Sequence, residues 1–279
     1  MSLALPVPAN AIWESNDADV PVNNPGTTVT ASGTIHTKGS WTSLGLSTDF
    51  DAFGFWLWLS NSSATATRTD QLLDIGIGPI GGGSEQVIVS NLVSGWSATN
   101  NGAANMGLGR RFFLPIFIPK GLRVSARLQA LIASDTLSVQ IVLVEGMGNL
   151  GFPICAGMDD YGIDTANSIG TSHTPGVGVE STWANIGSTL SRNYKGVIVV
   201  PQGTMGDTTM SANPVQWEVG YSSIKLGEWY WGPSTSEWVN GPIPACPVMR
   251  ELPSGTQMQV RAEQPSAAEA YDVGVYCLY

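Results

Sequence analysis

GTIHTKGSWTSLGLSTDFDAFGFWLWL, residues 33–59, returns in degraded form as GTSHTPGVGVESTWANIGSTLSRNYKGVIVV at 170–200. In both stretches a Gly-Thr-x-His-Thr opening leads to a Trp, then to a Gly, then to a run of strand-forming residues. His36 answers His173, Trp41 answers Trp183 and Gly54 answers Gly196. Farther on, Ile118-Pro119-Lys120-Gly121 with Arg127 is matched at one constant offset by Leu252-Pro253-Ser254-Gly255 with Arg261. Two echoes in the same order, far apart in the chain, indicate duplication of a whole domain. The 279 residues then divide into two domains of roughly 130 residues, each long enough for its own core.

The composition suits short strands joined by turns. Charged residues are only 12% of the chain, Gly numbers 33 and aromatics reach 9%, whereas a disordered chain carries high charge and few aromatics. The net charge of −10 argues against sequence-independent nucleic-acid binding, which depends on Lys and Arg neutralising phosphates. Arg110-Arg111 and the group Lys120, Arg123 and Arg127 come closest to a basic patch, and they read as solvated edge charges. Cys155, Cys246 and Cys277 form no C-x-x-C pair and imply no disulfide framework; small buried hydrophobes are the expected role. MSLALPVPANAIW lacks a basic n-region and is broken by prolines, unlike a conventional signal peptide. No run approaches the ~20 apolar residues of a membrane-spanning helix, so no membrane insertion is expected.

Residues 1–30 read as an extended N-terminal arm. Pro6, Pro8, Pro21 and Pro25 deny ladder hydrogen bonds, while Leu3, Leu5, Ile12 and Trp13 offer apolar area for docking on a partner. Residues 31–147 form the first β-sandwich, 148–166 a Gly-rich linker and 167–279 the second sandwich. In the first, strands are expected over 27–37, 53–60, 72–77, 85–92, 111–118, 123–130 and 138–145. In the second they are expected over 194–200, 215–221, 224–230, 243–249, 256–262 and 271–278. The fold class is all-β: two tandem antiparallel β-sandwiches, jelly-roll or immunoglobulin-like, a choice that strand spacing leaves open. Trp41 and Trp183 are expected as core anchors. Gly121 and Gly255 are expected to turn the chain after each Pro with positive φ.

Gly76-x-Gly78-x-x-Gly81 matches a dinucleotide fingerprint, but SEQVIVSNL follows it, another strand where the phosphate site needs a helix. The two histidines have no Cys, His or carboxylate cluster at ligand spacing, and each reads as tying a strand entry by hydrogen bonds. Asp49 with Asp51, Asp159 with Asp160, and Glu228 with Glu237 could supply glycosidase acids, and nothing in the sequence separates them from ordinary loop acids. The expectation is therefore no enzymatic activity, no catalytic residue, no cofactor and no metal. Trp229, Tyr230, Trp231 and Trp238, in and around GEWYWGPSTSEWVNGP, stand out as a candidate protein interface or glycan platform, because such rings pair a flat face with a polar edge.

GTIHTKGSW at 33–41, DIGIGPIGGGSEQVIVSNL at 74–92 and FIPKGLRVSARLQA at 117–130 are similar in style to segments of structural proteins of tailed bacteriophages. The likeness covers most of both copies. It implies a virion protein, made in the host cytoplasm and released by lysis, present as a homo-oligomer or in many copies. Its partners would be other virion proteins, the major capsid or tail protein, with no nucleic acid. Within that class the first expectation is a capsid decoration or cement protein whose arm lies across the shell. The alternative is a tail or fibre-associated module whose aromatic loop binds a cell-surface glycan.

Overall fold

The computed structural model describes residues 13–15, 26–61, 71–94, 110–145, 153–163, 170–203, 214–231, 247–266 and 270–279, and no helix occurs among them. The first half contributes β1 (Trp13–Ser15), β2 (Thr27–Thr30), β3 (Thr42–Ser47), β4 (Ala52–Asn61) and β5 (Gln71–Gly78). β6 (Gln86–Val93), β7 (Arg110–Leu114), β8 (Arg123–Ala130) and β9 (Thr136–Glu145) complete it. β4 shows why these segments are strands. Its alternation buries Phe55, Leu57 and Leu59 completely and leaves Trp56 and Trp58 half-buried on the other face. β9 alternates likewise, with Val139, Ile141 and Leu143 inside and Gln140 and Val142 outside.

One sheet of this half runs β2-β9-β4-β7, with β1 extending β2's side of β9; the facing strands run β3-β8-β5-β6. That pair of strand orders makes an eight-stranded jelly roll. The second half repeats it. β11 (Thr171–His173), β12 (Gly176–Val177), β13 (Ala184–Asn185) and β14 (Tyr194–Gly203) lead into β15 (Val215–Tyr221) and β16 (Ile224–Trp231). β17 (Val248–Leu252), β18 (Met258–Gln264) and β19 (Tyr271–Leu278) follow. Here one set runs β11-β19-β14-β17 and the other β13-β18-β15-β16, with β12 also on β18. The duplication read from sequence is thus a duplication of topology, and both halves are jelly rolls.

Between them lies β10 (Met158–Tyr161), inside the stretch expected as a linker. It pairs antiparallel with β19 and, at Met158↔Val89, parallel with β6, fusing half of each jelly roll into one nine-stranded sheet. Ile198, Val200, Tyr276 and Leu278, on the outward face of the β14–β19 pair, belong to the first jelly roll's core cluster. Val197, Val199, Val275 and Cys277 between them belong to the second. Burial on both faces explains why β19 has no exposed position.

Three readings of the sequence change here. The arm expected over 1–30 is partly strand: 13–15 and 27–30 are hydrogen-bonded to β9, while Leu3, Leu5 and Ile12 lie outside the described residues. The two histidines are not equivalent. His36 is half-buried in a largely exposed loop beyond β2 with φ 56°, whereas His173 ends β11 with only 7% exposure and its Nε2 is 2.8 Å from Ser181 Oγ. Trp41 and Trp183 are half-buried on outward sheet faces, not core anchors. Gly121 and Gly255 do turn the chain after each Pro, at φ 82° and 81°.

Candidate functional site

Each jelly roll carries, on the outer face of its β3-β8-β5-β6 or β13-β18-β15-β16 strands, one matched group of four residues. The middle strand supplies a carboxylate and, two residues on, a glycine: Asp74 and Gly76 in β5, Glu218 and Gly220 in β15. The neighbouring strand supplies an arginine opposite the carboxylate, Arg127↔Asp74 and Glu218↔Arg261. The missing side chain leaves room for an indole. A Cβ on Gly76 would meet the Trp41 ring at 2.8 Å, and one on Gly220 would meet the Trp183 ring at 3.1 Å. Each arginine then lies over that ring, 4.6 Å from the Trp41 centroid and 4.7 Å from the Trp183 centroid. Gly76, first met in a nucleotide-like fingerprint, is the seat of this stack.

In the first jelly roll the group is closed in. Asp74 accepts hydrogen bonds from Arg127 Nε at 2.8 Å, Lys38 Nζ at 2.7 Å and the Asn91 amide at 2.9 Å. β10 lies alongside, where Asp160 accepts from Ser90 Oγ at 2.5 Å and from Asn91 Nδ2 at 3.2 Å. Burial pushes the Asp160 carboxyl above the usual range despite those bonds, and burial pulls Lys38 down despite the adjacent Asp74.

In the second jelly roll the group opens onto a row of polar side chains. Val215, Trp217 and Val219 point into the core, so Gln216 and Glu218 point outward, with Glu228 and Tyr230 beside them on β16. Glu218 is buried at the base of the row and accepts from Arg261 Nε at 2.6 Å and Lys225 Nζ at 2.5 Å. Arg261 also reaches Glu180 at 2.6 Å. Lys225 bridges to Glu228, which accepts the Tyr230 hydroxyl at 2.5 Å. The result is a continuous ladder from Trp183 through Arg261, Glu218, Lys225 and Glu228 to Tyr230, whose ring is 70% exposed.

The charges lock this ladder. Burial alone would raise Glu218, but hydrogen bonds from Lys225 and Arg261, with their charges, outweigh it and hold the carboxyl below its ordinary range. Glu228 is lowered by its bonds from Lys225 and Tyr230; Lys225 and Tyr230 are raised by the carboxylates they bond. Among the described residues no three His, Cys, Asp or Glu converge as a metal site. A separate cleft of about 300 Å³, lined by Asn193, Tyr194, Lys195, Glu251, Leu252 and Pro253, lies where β14 meets β17.

Of the four aromatics singled out in the sequence, Tyr230 faces solvent and Trp229 packs against the second core. The side chains of Trp231 and Trp238 lie outside the described residues, and of Trp13 only its strand pairing is described. The carboxylate, glycine, arginine and tryptophan of the matched group were not singled out together. The signal lay in the constant offset of Arg127 and Arg261, which had been read only as a mark of duplication.

No protein family matches this sequence, and no curated protein does. Among solved structures, the chain is similar to PNGase F, a glycosylasparaginase from Flavobacterium meningosepticum, with 10% identity and a TM-score of 0.40 over 96% of this chain and 95% of that one. A recombinant N-glycanase F (PNGase F) gives 9% identity and a TM-score of 0.37 over 96% and 95% of the two chains. The CBM22-1-CBM22-2 tandem domain of Paenibacillus barcinonensis Xyn10C gives 10% identity and a TM-score of 0.26 over 97% and 92%. These values carry no inference about the chemistry of this chain. The expectation of no enzymatic activity is nevertheless corrected: the solved structures to which this chain is similar include an enzyme, PNGase F.

Proposed function

We propose that this chain binds carbohydrate through the outward face of its second jelly roll, and that it does so as part of a tailed-phage particle, as the sequence resemblance implies. The observation that carries the binding reading is Tyr230, a ring 70% exposed yet held by its hydroxyl on Glu228. A ring fixed in place before binding loses little conformational freedom when a sugar stacks on it. Glu228 and Lys225 beside it, with Arg261 farther along the same face, are hydrogen-bonding groups of the kind that fix the orientation of a polyol. Decoration of a capsid through the arm has less to support it, because residues 13–15 are already paired with β9 of their own chain.

The test is a glycan array probed with the full chain, followed by titration of any hit against Tyr230→Ala and Tyr230→Phe. Loss of the ring is expected to weaken binding roughly 5- to 10-fold, about 1–1.4 kcal/mol, with Tyr230→Phe between the two. An array without a hit, or an unchanged affinity in Tyr230→Ala, overturns the reading.

A further inference from the structure

The junction inside this chain has two halves, and each half recurs at an open end of the molecule. Inside the chain, β10 lies on β19 and offers its other edge to β6. At one end of the molecule β1 lies on β9 as β10 lies on β19. Trp13 stands opposite Val144 and Met158 opposite Leu278, at matching positions of the two jelly rolls. At the other end β16 lies on β15 as β6 lies on β5. Among the described residues β1 has no second neighbour, and neither does β16. Among the described residues β16 is a long open edge, with Ile224 51% and Tyr230 70% exposed.

A second observation concerns the sheet faces. Ile198, Val200 and Tyr276 bury the outer face of the second jelly roll against the first. The same positions in the first jelly roll hold Trp56, Trp58 and Val142, by strand pairing with β9 and β19. Trp56 and Trp58 are half-buried and stacked at 6.2 Å, and Trp56 lies 5.0 Å from Phe113. An apolar face therefore stands where the internal junction has its apolar face, beside the open edge of β1.

We propose that copies of this chain join head to tail, the β16 edge of one copy receiving the β1 edge and the Trp56–Trp58 face of the next. This repeats between chains the junction already built within one. The register follows from the internal one. Val89 pairs with Ile75 and Gly227 with Val219, each the residue after the matched carboxylate, so Gly227 stands for Val89. Trp13 of one copy then lies beside Gly227 of the other, and Glu14 beside Glu228, whose charge Lys225 offsets. Val142 lacks the hydroxyl by which Tyr276 bonds Val93 and Asn91, so the joint between chains is weaker than the one within a chain. Such an interface is heterologous and yields rings or open strings, not a closed two-fold dimer. Both this joint and the glycan reading use β16, but their tests are separate, since this one reads mass and cross-linking and the other reads sugar binding.

The experiment uses the full chain. Sedimentation of the unaltered protein over about 1–100 µM is expected to show mass rising at least roughly twofold. Oxidised Glu14→Cys/Glu228→Cys double variant is expected to give a ladder of covalent multimers on a non-reducing gel. An equimolar mixture of the two single variants is expected to stop at dimers. A monomer across the concentration range overturns the proposal without reference to any variant. Efficient dimer formation by Glu228→Cys alone overturns it too, because that marks two-fold pairing of β16 with itself.

Discussion

Asp74 and Glu218 occupy the same place in their sheets and each accepts an arginine and a lysine, yet Lys38 beside Asp74 is 15% exposed and Lys225 beside Glu218 is 42% exposed. The two lysines also come from different places, Lys38 from the loop before β3 and Lys225 from β16 itself. What separates the two regions is their neighbour. β6 is covered by β10, and Asp160 on β10 bonds Ser90 and Asn91, so the first stack is sealed into a structural joint. β16 has no such cover among the described residues, so the second stack reaches solvent and ends in Tyr230. One inherited arrangement thus serves as structure where an edge is occupied and as surface where it is not.

The largest effects expected from this contrast come from removing the carboxylates. Asp74→Ala leaves Lys38, only 15% exposed, without its carboxylate and is expected to cost about 3–5 kcal/mol of unfolding free energy. Glu218→Ala is expected to cost about half as much, because Lys225, 42% exposed, can turn to water, while the two arginines are alike at 31% and 28%. Urea denaturation of both variants checks this, and equal losses would break the distinction between a sealed and an open stack.

Next in size are the glycine seats. Gly220→Ala drives a methyl into the Ile224 carbonyl, a backbone atom, whereas Gly76→Ala first meets the Trp41 ring, which can shift. Both are expected within the ~1–3 kcal/mol of overpacked sites, with Gly220→Ala the worse. Thermal melts rank them; the reverse order would show that the Trp41 stack is the more rigid of the two.

Acid dependence separates the regions by sign. Glu218 titrates below its ordinary 4.5, so its stabilisation is complete above that value and is lost as pH falls through the lower folded value. Asp160 titrates above its ordinary 3.8, so its ionised form costs stability at pH above the folded value, and the cost is relieved as pH falls from that value to 3.8. Stability measured by urea from neutral to acid pH is expected to fall for Glu218→Gln relative to the unaltered chain at neutrality, the gap closing in acid. Asp160→Asn is expected to gain at neutrality, its gap also closing in acid. Neutral-pH changes of the same sign in both would remove the contrast. The smallest expected effect on folding is that of Tyr230→Ala, whose exposed ring packs on little; its consequence is expected in glycan binding instead.

Much of the fold was legible because alternation and turn residues act locally. β8 and β15 lie where the strand pattern placed them, since each is a run of strand-forming residues between turns, and β19 does so as a short apolar run rich in Val and Tyr. β3 and the short strands β10 to β13 were missed because their pairing is supplied by a distant partner: β10 reads as Gly-rich linker until β6 and β19 flank it. The GTxHT echo located the duplication but misaligned the histidines. His173 is the last residue of β11 whereas His36 lies beyond the end of β2 at Thr30, and only pairing to β9 or β19 shows which residues belong to the strand. Trp41 and Trp183 were read as core because large aromatics favour interiors. Each instead spends one face on a glycine and the other on an arginine, a combination of three strands and loops that no local window contains.

By itself, then, the sequence determined the all-β class, the doubling of the domain and the position of most long strands, because strand alternation, turn chemistry and repetition are properties of neighbouring residues. Only the tertiary structure decided that both halves are jelly rolls, that one sheet runs through both, and which matched carboxylate is sealed and which is open. Those outcomes depend on which strand lies against which edge, and edge pairing joins residues as far apart as Met158 and Leu278.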